Sequence, residues 1–507
     1  MVMQCVPGIQ HQVLEIGARL REPPSVILQQ TAFAEEVAAQ DRLFEAVGLS
    51  DIAHTVMQSH LGSIPPGPAA ELMAALLHLQ RVENRLDLDP ALGDVVTNRE
   101  AWLVEKTPAA GHLGASRARR EAITTGFVLL LRKEVLLLTD ALCAMVERMA
   151  ERSATHRSTV FPEYTYLQTA QPTTFGHYLS GFAFPAERDL QRLRGLYIRL
   201  NRCPGGCGSS NGSRMSQDRQ MLAELLGFDT PVEHARDAMW QADLPVELAS
   251  CLVMIAVNMS RLAEDLMVFA TNEFALLTLA HRHCRASKIM PQKKNPFALS
   301  YLRSIANHLL GVQAAIAASG RTPSGQMDSR MEAYRELPVA LKSVTTAVTL
   351  MTEILDGLEL NEINCRATLA NSFALATDLA EGLVETGRVD FREAHRVVAR
   401  LVRTLSDSGR RLEEVNAKLI EEVATEELGH SLGIRDEVLT GLLNVDDAIR
   451  ARTTIGGASP ERVMDAVVTL QERVGTHRAW QRDSTRVIEA AEARLLDAAR
   501  LLAGDVQ

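Results

Sequence analysis

Residues 287–296 read Ser287-Lys288-Ile289-Met290-Pro291-Gln292-Lys293-Lys294-Asn295-Pro296. Two prolines bound a short run with two lysines and an amide, and a hydroxyl stands just upstream. Pro296 suits the first turn of a helix, where a missing backbone N–H leaves nothing unpaired. Behind it, 296–319 carries apolar residues at helical spacing, and Gly320 suits the stop. Ahead of it, 244–280 shows the same periodicity. The decamer therefore reads as a loop between two long helices. It would set cations, an amide and a hydroxyl before a helix N-terminus, which itself favours anions. Such a loop can bind carboxylates. On these grounds alone it can also be a solvated basic loop.

The helical pattern continues outward. Segments 121–153, 174–201 and 337–358 share it, with Pro185 a candidate kink. All five exceed the usual globular helix of about 11 or 12 residues. Aromatic residues make up 4% of the chain, while Leu and Ala abound, so the types that favour strands are scarce. The expected fold class is all-α, an elongated bundle of long helices that subunits could share. Residues 203–219, 281–296 and 320–331 are polar or rich in Gly and Ser, and read as loops at bundle ends, where function tends to sit. At about 150 residues per domain, 507 residues make about three units. The expected divisions are 1–116, 117–368 with the loop 281–296, and 369–507.

Composition narrows the function. Charged residues are 23% and the AVILMFWYC set 46%, which suits a folded chain and argues against disorder. A net charge of −10 argues against general nucleic-acid binding, which needs a basic face. Seven cysteines without a dense framework fit a reducing, cytoplasmic setting. Cys203 and Cys207 flank Pro-Gly-Gly; they could be half a metal site or two thiols beside a tight turn, and no second pair has ligand spacing. The first twenty residues lack the basic start and apolar run of a signal peptide. Residues 127–145 are strongly apolar but include Arg132, Lys133, Glu134 and Asp140, as a buried helix would rather than a membrane span.

The decamer, with its Ser before MPQKKNP, resembles the signature loop of the fumarase/aspartase superfamily, and of argininosuccinate lyase in particular. Tyr164-Thr165-Tyr166-Leu167-Gln168 followed by Ala170-Gln171-Pro172-Thr173-Thr174-Phe175-Gly176-His177 resembles a second stretch of that family. Asp51-Ile52-Ala53-His54, Gly111-His112-Leu113-Gly114-Ala115-Ser116-Arg117, Asp218-Arg219, Thr377-Asp378-Leu379-Ala380, Phe391-Arg392-Glu393-Ala394-His395 and Arg452-Thr453 before Gly456-Gly457 extend the likeness in order along the chain. The resemblance implies a three-domain, all-α subunit in a homotetramer. The central helices would form a shared core, and each active site would combine segments of three subunits. It implies no metal and no organic cofactor.

The implied chemistry is anti β-elimination from a substituted succinate. A base takes the proton beside one carboxylate, electrons spread into that carboxylate, and the bond to the leaving group breaks to give fumarate. The site must stabilise extra negative charge with fixed cations and donors. By resemblance Ser287 is the base, which needs nearby cations and donors to be credible. Lys293 and Asn295 grip the substrate carboxylate, as do Thr165, within the stretch that includes Gln168, and Ser116 with Arg117. Arg219 is a further candidate for the anionic substrate. Lys288 stands where the family usually has a second Ser; it adds a cation or points to solvent. Tyr166 replaces a His held to be the general acid; it could donate the proton, or only fill space and leave the proton to water. His177 is expected to be structural. Ala118 and Arg119 replace the family's Asn and Asp, and Arg119 with Arg120 reads as a solvated helix start. Asp94 and Asn98 match an early helical segment without assigned chemistry.

The family holds the arginine half of argininosuccinate with a Tyr, a Gln and a Lys, and Pro323, Asp328 and Met331 occupy those places here. Losing such polar contacts costs about 1–3 kcal/mol each. The retained fumarate half and the changed leaving-group half point to a lyase for another N-substituted aspartate, with secondary metabolism a plausible setting. A true argininosuccinate lyase, and a non-catalytic scaffold or binding protein on the same fold, are the alternatives. Loss of the family's His and Asn favours the scaffold; intact Ser287 and Lys293 oppose it.

Overall fold

The computed structural model describes residues 7–323, 325, 326, 328–386 and 388–504. Ten helices organise it. In chain order they are α1 Phe44–His60, α2 Pro66–Gln80, α3 Val95–Lys106, α4 Arg119–Thr155, α5 Phe175–Leu200, α6 Asp243–Phe269, α7 Phe297–Gly320, α8 Asp328–Asp356, α9 Phe391–Asp407 and α10 Pro460–Ala503. Their starts follow local chemistry. Side-chain oxygens of Asp94, Thr174 and Ser459 accept from backbone N–H groups in the first turns of α3, α5 and α10. Asp390 and Glu393 form a reciprocal cap on α9.

The long helices pack side by side. α4 is the hub and touches α1, α5, α8 and α10, while α6 pairs closely with α7. Leu131, Val135, Leu138 and Leu142 of α4 are buried at helical spacing. Arg132, between them, is fully buried and donates to Asn201 Oδ1 (2.6 Å), the Gly227 carbonyl (2.7 Å) and the Leu226 carbonyl (2.8 Å). It thus closes the C-terminal ends of α5 and of the short helix Arg219–Leu225. α6 alone among the described helices is long and apolar enough to cross a membrane. Its Leu248, Leu252, Ile255, Leu262 and Leu266 are buried against protein.

Cross-links set the directions. α5 starts beside the end of α4, with Gly176 N donating to the His156 carbonyl. Tyr178 bonds Asp265 near the end of α6, and Arg199 bonds Glu247 near its start. Arg330 of α8 meets Thr124 near the start of α4, and Asp356 meets Arg148 near its end. The bundle therefore has two ends. One holds the start of α4, residues 201–218 and the α7–α8 connection. The other holds the end of α4, residues 156–174 and 270–296. The 37 residues of α4, at about 1.5 Å each, separate them by about 55 Å.

α10, with 44 residues, is the longest helix and was not among the five expected from periodicity. It buries a narrow stripe (Val463, Val467, Leu470, Val474, Ile488, Leu495) between charged neighbours. Residues 375–448 form their own apolar core, whereas α10 joins the main one. The expected division at 369 groups these two parts together. The strands are short. The chief pair is the antiparallel hairpin Val160–Thr165 and Gln168–Thr174.

Candidate active site

At the first end, the 115–117 loop is pinned to one face of α1. Arg117 Nη1 donates to Asp51 Oδ1 (2.6 Å) and Nη2 to Ser50 Oγ (2.7 Å). His54 Nε2 meets the Ala115 carbonyl at 3.2 Å, and Gln58 Nε2 donates to Ser116 Oγ at 3.3 Å. Positions 51, 54 and 58 share a face because they lie three and four residues apart. Gln217 donates to the same Ser116 oxygen. These bonds hold Ser116 at φ +58°, a left-handed conformation that a non-glycine residue keeps only with such support. The Asp51-to-His54 motif thereby gains a physical role, to which Gln58 and Gln217 add partners that the sequence pattern did not single out.

Arg117 is held tightly: each terminal nitrogen makes one bond within the protein, and its side chain is only 5% exposed, so it also positions Ser116. Arg219 remains available. Its Nε donates to the Gly205 carbonyl at 3.1 Å, while its buried Nη2 has no partner. Gly206, at φ +75°, lets the Arg219 stem pass where a Cβ would lie 2.7 Å from its Cγ. Glu121 Oε1 accepts from Gly206 N at 2.7 Å, and burial raises the Glu121 pKa. Gln58 Oε1 and Gln217 Oε1 also lack partners. Buried polar atoms left so cost about 1–3 kcal/mol each unless a ligand or water meets them. Three such atoms, on Arg219, Gln58 and Gln217, lie together at this end.

At the second end, Arg285–Ala286 pairs with Lys294–Asn295, making the decamer a small hairpin. Ser287 Oγ accepts from Met290 N at 3.0 Å and Ile289 N at 3.4 Å. Lys288 and Lys293 are exposed and pair with no carboxylate among the described residues. Asn295 Nδ2 donates to the Arg285 carbonyl at 3.0 Å, so that N–H closes the hairpin and is not offered to a ligand. Lys294 Nζ reaches the Leu279 carbonyl at 3.0 Å. Thr165 and Gln168 flank a two-residue turn, Tyr166-Leu167, at φ +55° and +56°. Tyr166 is 99% exposed, at the tip. Within one chain no hydrogen bond links this tip to Ser287 among the described residues.

Both ring nitrogens of His177 have partners within the protein. Its Nδ1 meets Thr173 Oγ1 at 2.9 Å and its Nε2 the Gly456 carbonyl at 3.0 Å. Cys203 and Cys207 are buried, and burial pushes both thiols up to about 12. Among the described residues no cluster of His, Cys, Asp or Glu is placed to hold a metal. Pro323 is exposed and Met331 lines a small cavity with Glu36 and Tyr334; the Asp328 side chain lies outside the described residues. A larger cavity of about 470 Å³ under the 160–174 hairpin, lined by Tyr164, Arg261 and Asp265, holds none of the proposed chemistry.

Residues 69–311 match a family described as Lyase, and 373–450 match the argininosuccinate lyase C-terminal family. The argininosuccinate lyase of Halorhodospira halophila is 32% identical over 452 residues, covering 87% of this chain and 95% of the relative. The chain is an argininosuccinate lyase-like member of the fumarase/aspartase superfamily. It is a fumarate-releasing lyase on an all-α fold. The argininosuccinate lyase of Methanocaldococcus jannaschii is 29% identical, covering 90% of this chain and 93% of the relative. An EDDS lyase variant with bound fumarate superposes with a TM-score of 0.87 at 25% identity, over 96% of this chain and 97% of that one. The 3-carboxy-cis,cis-muconate lactonizing enzyme of Pseudomonas putida shares the fold, with a TM-score of 0.68 at 22% identity over 88% and 99%.

Proposed function

We propose that this lyase splits an N-substituted aspartate by anti β-elimination into fumarate and an amine other than arginine, in sites that several copies assemble. The observation that carries the chemistry is Ser287. Its oxygen accepts two backbone N–H groups, and Lys288 and Lys293 stand close by in sequence without carboxylate partners among the described residues. Donors and cations favour the charged form of a hydroxyl, which is what a serine base requires. Lys293 and Thr165 would hold the carboxylates, with Ser116 and Arg219 on the far side and Tyr166 as proton donor. Lys288 and Gln168 would border the same site.

The distribution of these groups supports a composite site. Ser116 and Arg219 stand about 55 Å along α4 from Thr165 and Ser287, so one small dicarboxylate cannot touch both sets in one chain. Helices packed antiparallel in a homotetramer would bring opposite ends together. Mixing a Ser287→Ala variant with an Arg219→Ala variant tests this: activity should reappear in the reassembled mixture, and none should appear if each site is built from one chain.

Pro323 and Met331 support the altered leaving group, since neither offers a charge or a strong hydrogen bond to an arginine. The curated relatives, being named argininosuccinate lyases, favour arginine as a second reading. Fumarate release from argininosuccinate, followed by ultraviolet absorbance with a Ser287→Ala control, decides between them. Little release is expected; rapid release abolished in the control would establish the second. If Ser287→Ala changes nothing on any substrate, the catalytic reading falls to the scaffold.

A further inference from the structure

Arg120 and Arg330 both face the indole of Trp240, with guanidinium carbons 5.4 and 5.8 Å from the ring centroid. Arg330 is 7% exposed and donates to Thr124 Oγ1 (3.0 Å), Tyr334 Oη (3.4 Å) and the Met239 carbonyl. All three partners are neutral. Arg330 Nε has no partner, nor has the buried Arg120 Nη1. Neither side chain forms an ion pair with a carboxylate among the described residues. Arg119, by contrast, is committed to Asp94 at 3.0 Å. Tyr334 and then Glu36 are the acidic groups whose fields reach Arg120, and neither forms an ion pair with it among the described residues. Two like charges are held against one ring, with the Arg330 Nε and Arg120 Nη1 donors unpartnered, an arrangement that an anion would relieve.

The pair borders the first end of the bundle. Ala118, two residues from Ser116, packs in the same small cluster as Trp240. Arg330 lies between Asp328 and Met331, two of the positions expected to meet the leaving group. Guanidinium forks suit carboxylates, and an indole face keeps such a group planar and placed.

We infer that Arg120 and Arg330, set on Trp240, form a carboxylate-binding corner for the leaving amine, so that preferred substrates carry an acid on that amine. This rests on the lyase reading above and names its substrate class. The pair replaces a solvated helix start as the account of Arg120.

The test uses two probes differing only there: N-(carboxymethyl)-L-aspartate, whose amine bears a carboxylate, and N-ethyl-L-aspartate, whose amine does not. Fumarate release is followed in the wild type and in Arg120→Gln, and binding is followed by calorimetry in Ser287→Ala with and without Arg120→Gln. Arg120 is half-buried at a helix start, so its change spares the core; Arg330 is buried and is left intact. A charged hydrogen bond makes the expected preference for the carboxymethyl probe roughly 10- to 100-fold, lost in Arg120→Gln. Equal handling of both probes, or a preference that survives Arg120→Gln, overturns the corner while leaving the lyase reading standing. Binding of neither probe, with no fumarate from either or from argininosuccinate, overturns the lyase reading and the corner with it.

Discussion

Asp51 Oδ1 lies 2.6 Å from Arg117 Nη1 in a pair whose side chains are 3% and 5% exposed, and the other oxygen of Asp51 takes Arg99 Nε at 2.8 Å. One carboxylate thus bridges two buried guanidinium groups and fixes the loop that carries Ser116. Removing it leaves two uncompensated charges inside the protein. Asp51→Ala should cost about 3–5 kcal/mol in urea unfolding, with fumarate release falling as well. A loss under about 1 kcal/mol would mean the pair does not hold the loop.

His54 supplies a pH dependence. Burial, with Arg117 adding, pushes its pKa from 6.5 down to about 3. Below about pH 6.5 the unfolded chain takes a proton that the folded one refuses until about pH 3. Stability is therefore full above 6.5 and declines as pH falls through that window. By pH 5 the loss should approach roughly 2 kcal/mol, at 1.36 kcal/mol per unit. Urea unfolding at pH 7.5 and pH 5.0 measures it, and His54→Gln should flatten the difference. Equal slopes in both proteins would assign the effect elsewhere.

Arg132 joins three elements by hydrogen bonds to Asn201, Leu226 and Gly227, and its guanidinium stacks 3.6 Å from the Phe228 ring centroid. Arg132→Met keeps much of the volume but strands three acceptors in the core. The expected cost is about 3 kcal/mol or more, read from the thermal or urea midpoint. A neutral result would show that water reaches those carbonyls.

Tyr166 stands at a hairpin tip, 99% exposed, with its backbone in the left-handed region. If its hydroxyl donates the proton to the leaving amine, Tyr166→Phe should lower kcat by roughly 10²- to 10⁴-fold while KM changes little. An unchanged kcat would leave the ring as a filler, with water as the acid.

Local signals carried much of this account. The decamer at 287–296 and the five apolar periodicities marked the long helices, because core burial imposes a period of 3.6 that residues show directly. The helix α10 escaped, although Ser459 caps its start and Pro460 sits in its first turn. Its buried stripe is narrow, and charged residues between the stripe positions dilute the period. Whether such a helix is bundle or tail depends on whether α4 and α5 offer a groove, which no local window contains.

Sequence alone determined the all-α class, the lyase resemblance and the identity of Ser287 as the candidate base, since these rest on residue types at short spacing. Tertiary structure decided what those residues can touch. Arg117 reads as a substrate ligand, and the fold sets two of its donors on Asp51 and Ser50, 66 and 67 positions away. Arg120 looked solvated until Trp240 and Arg330 came beside it. Charge is written in the chain, but whether a charge is spent on the protein or left for a ligand is settled by partners distant in sequence, through burial and the directions of hydrogen bonds.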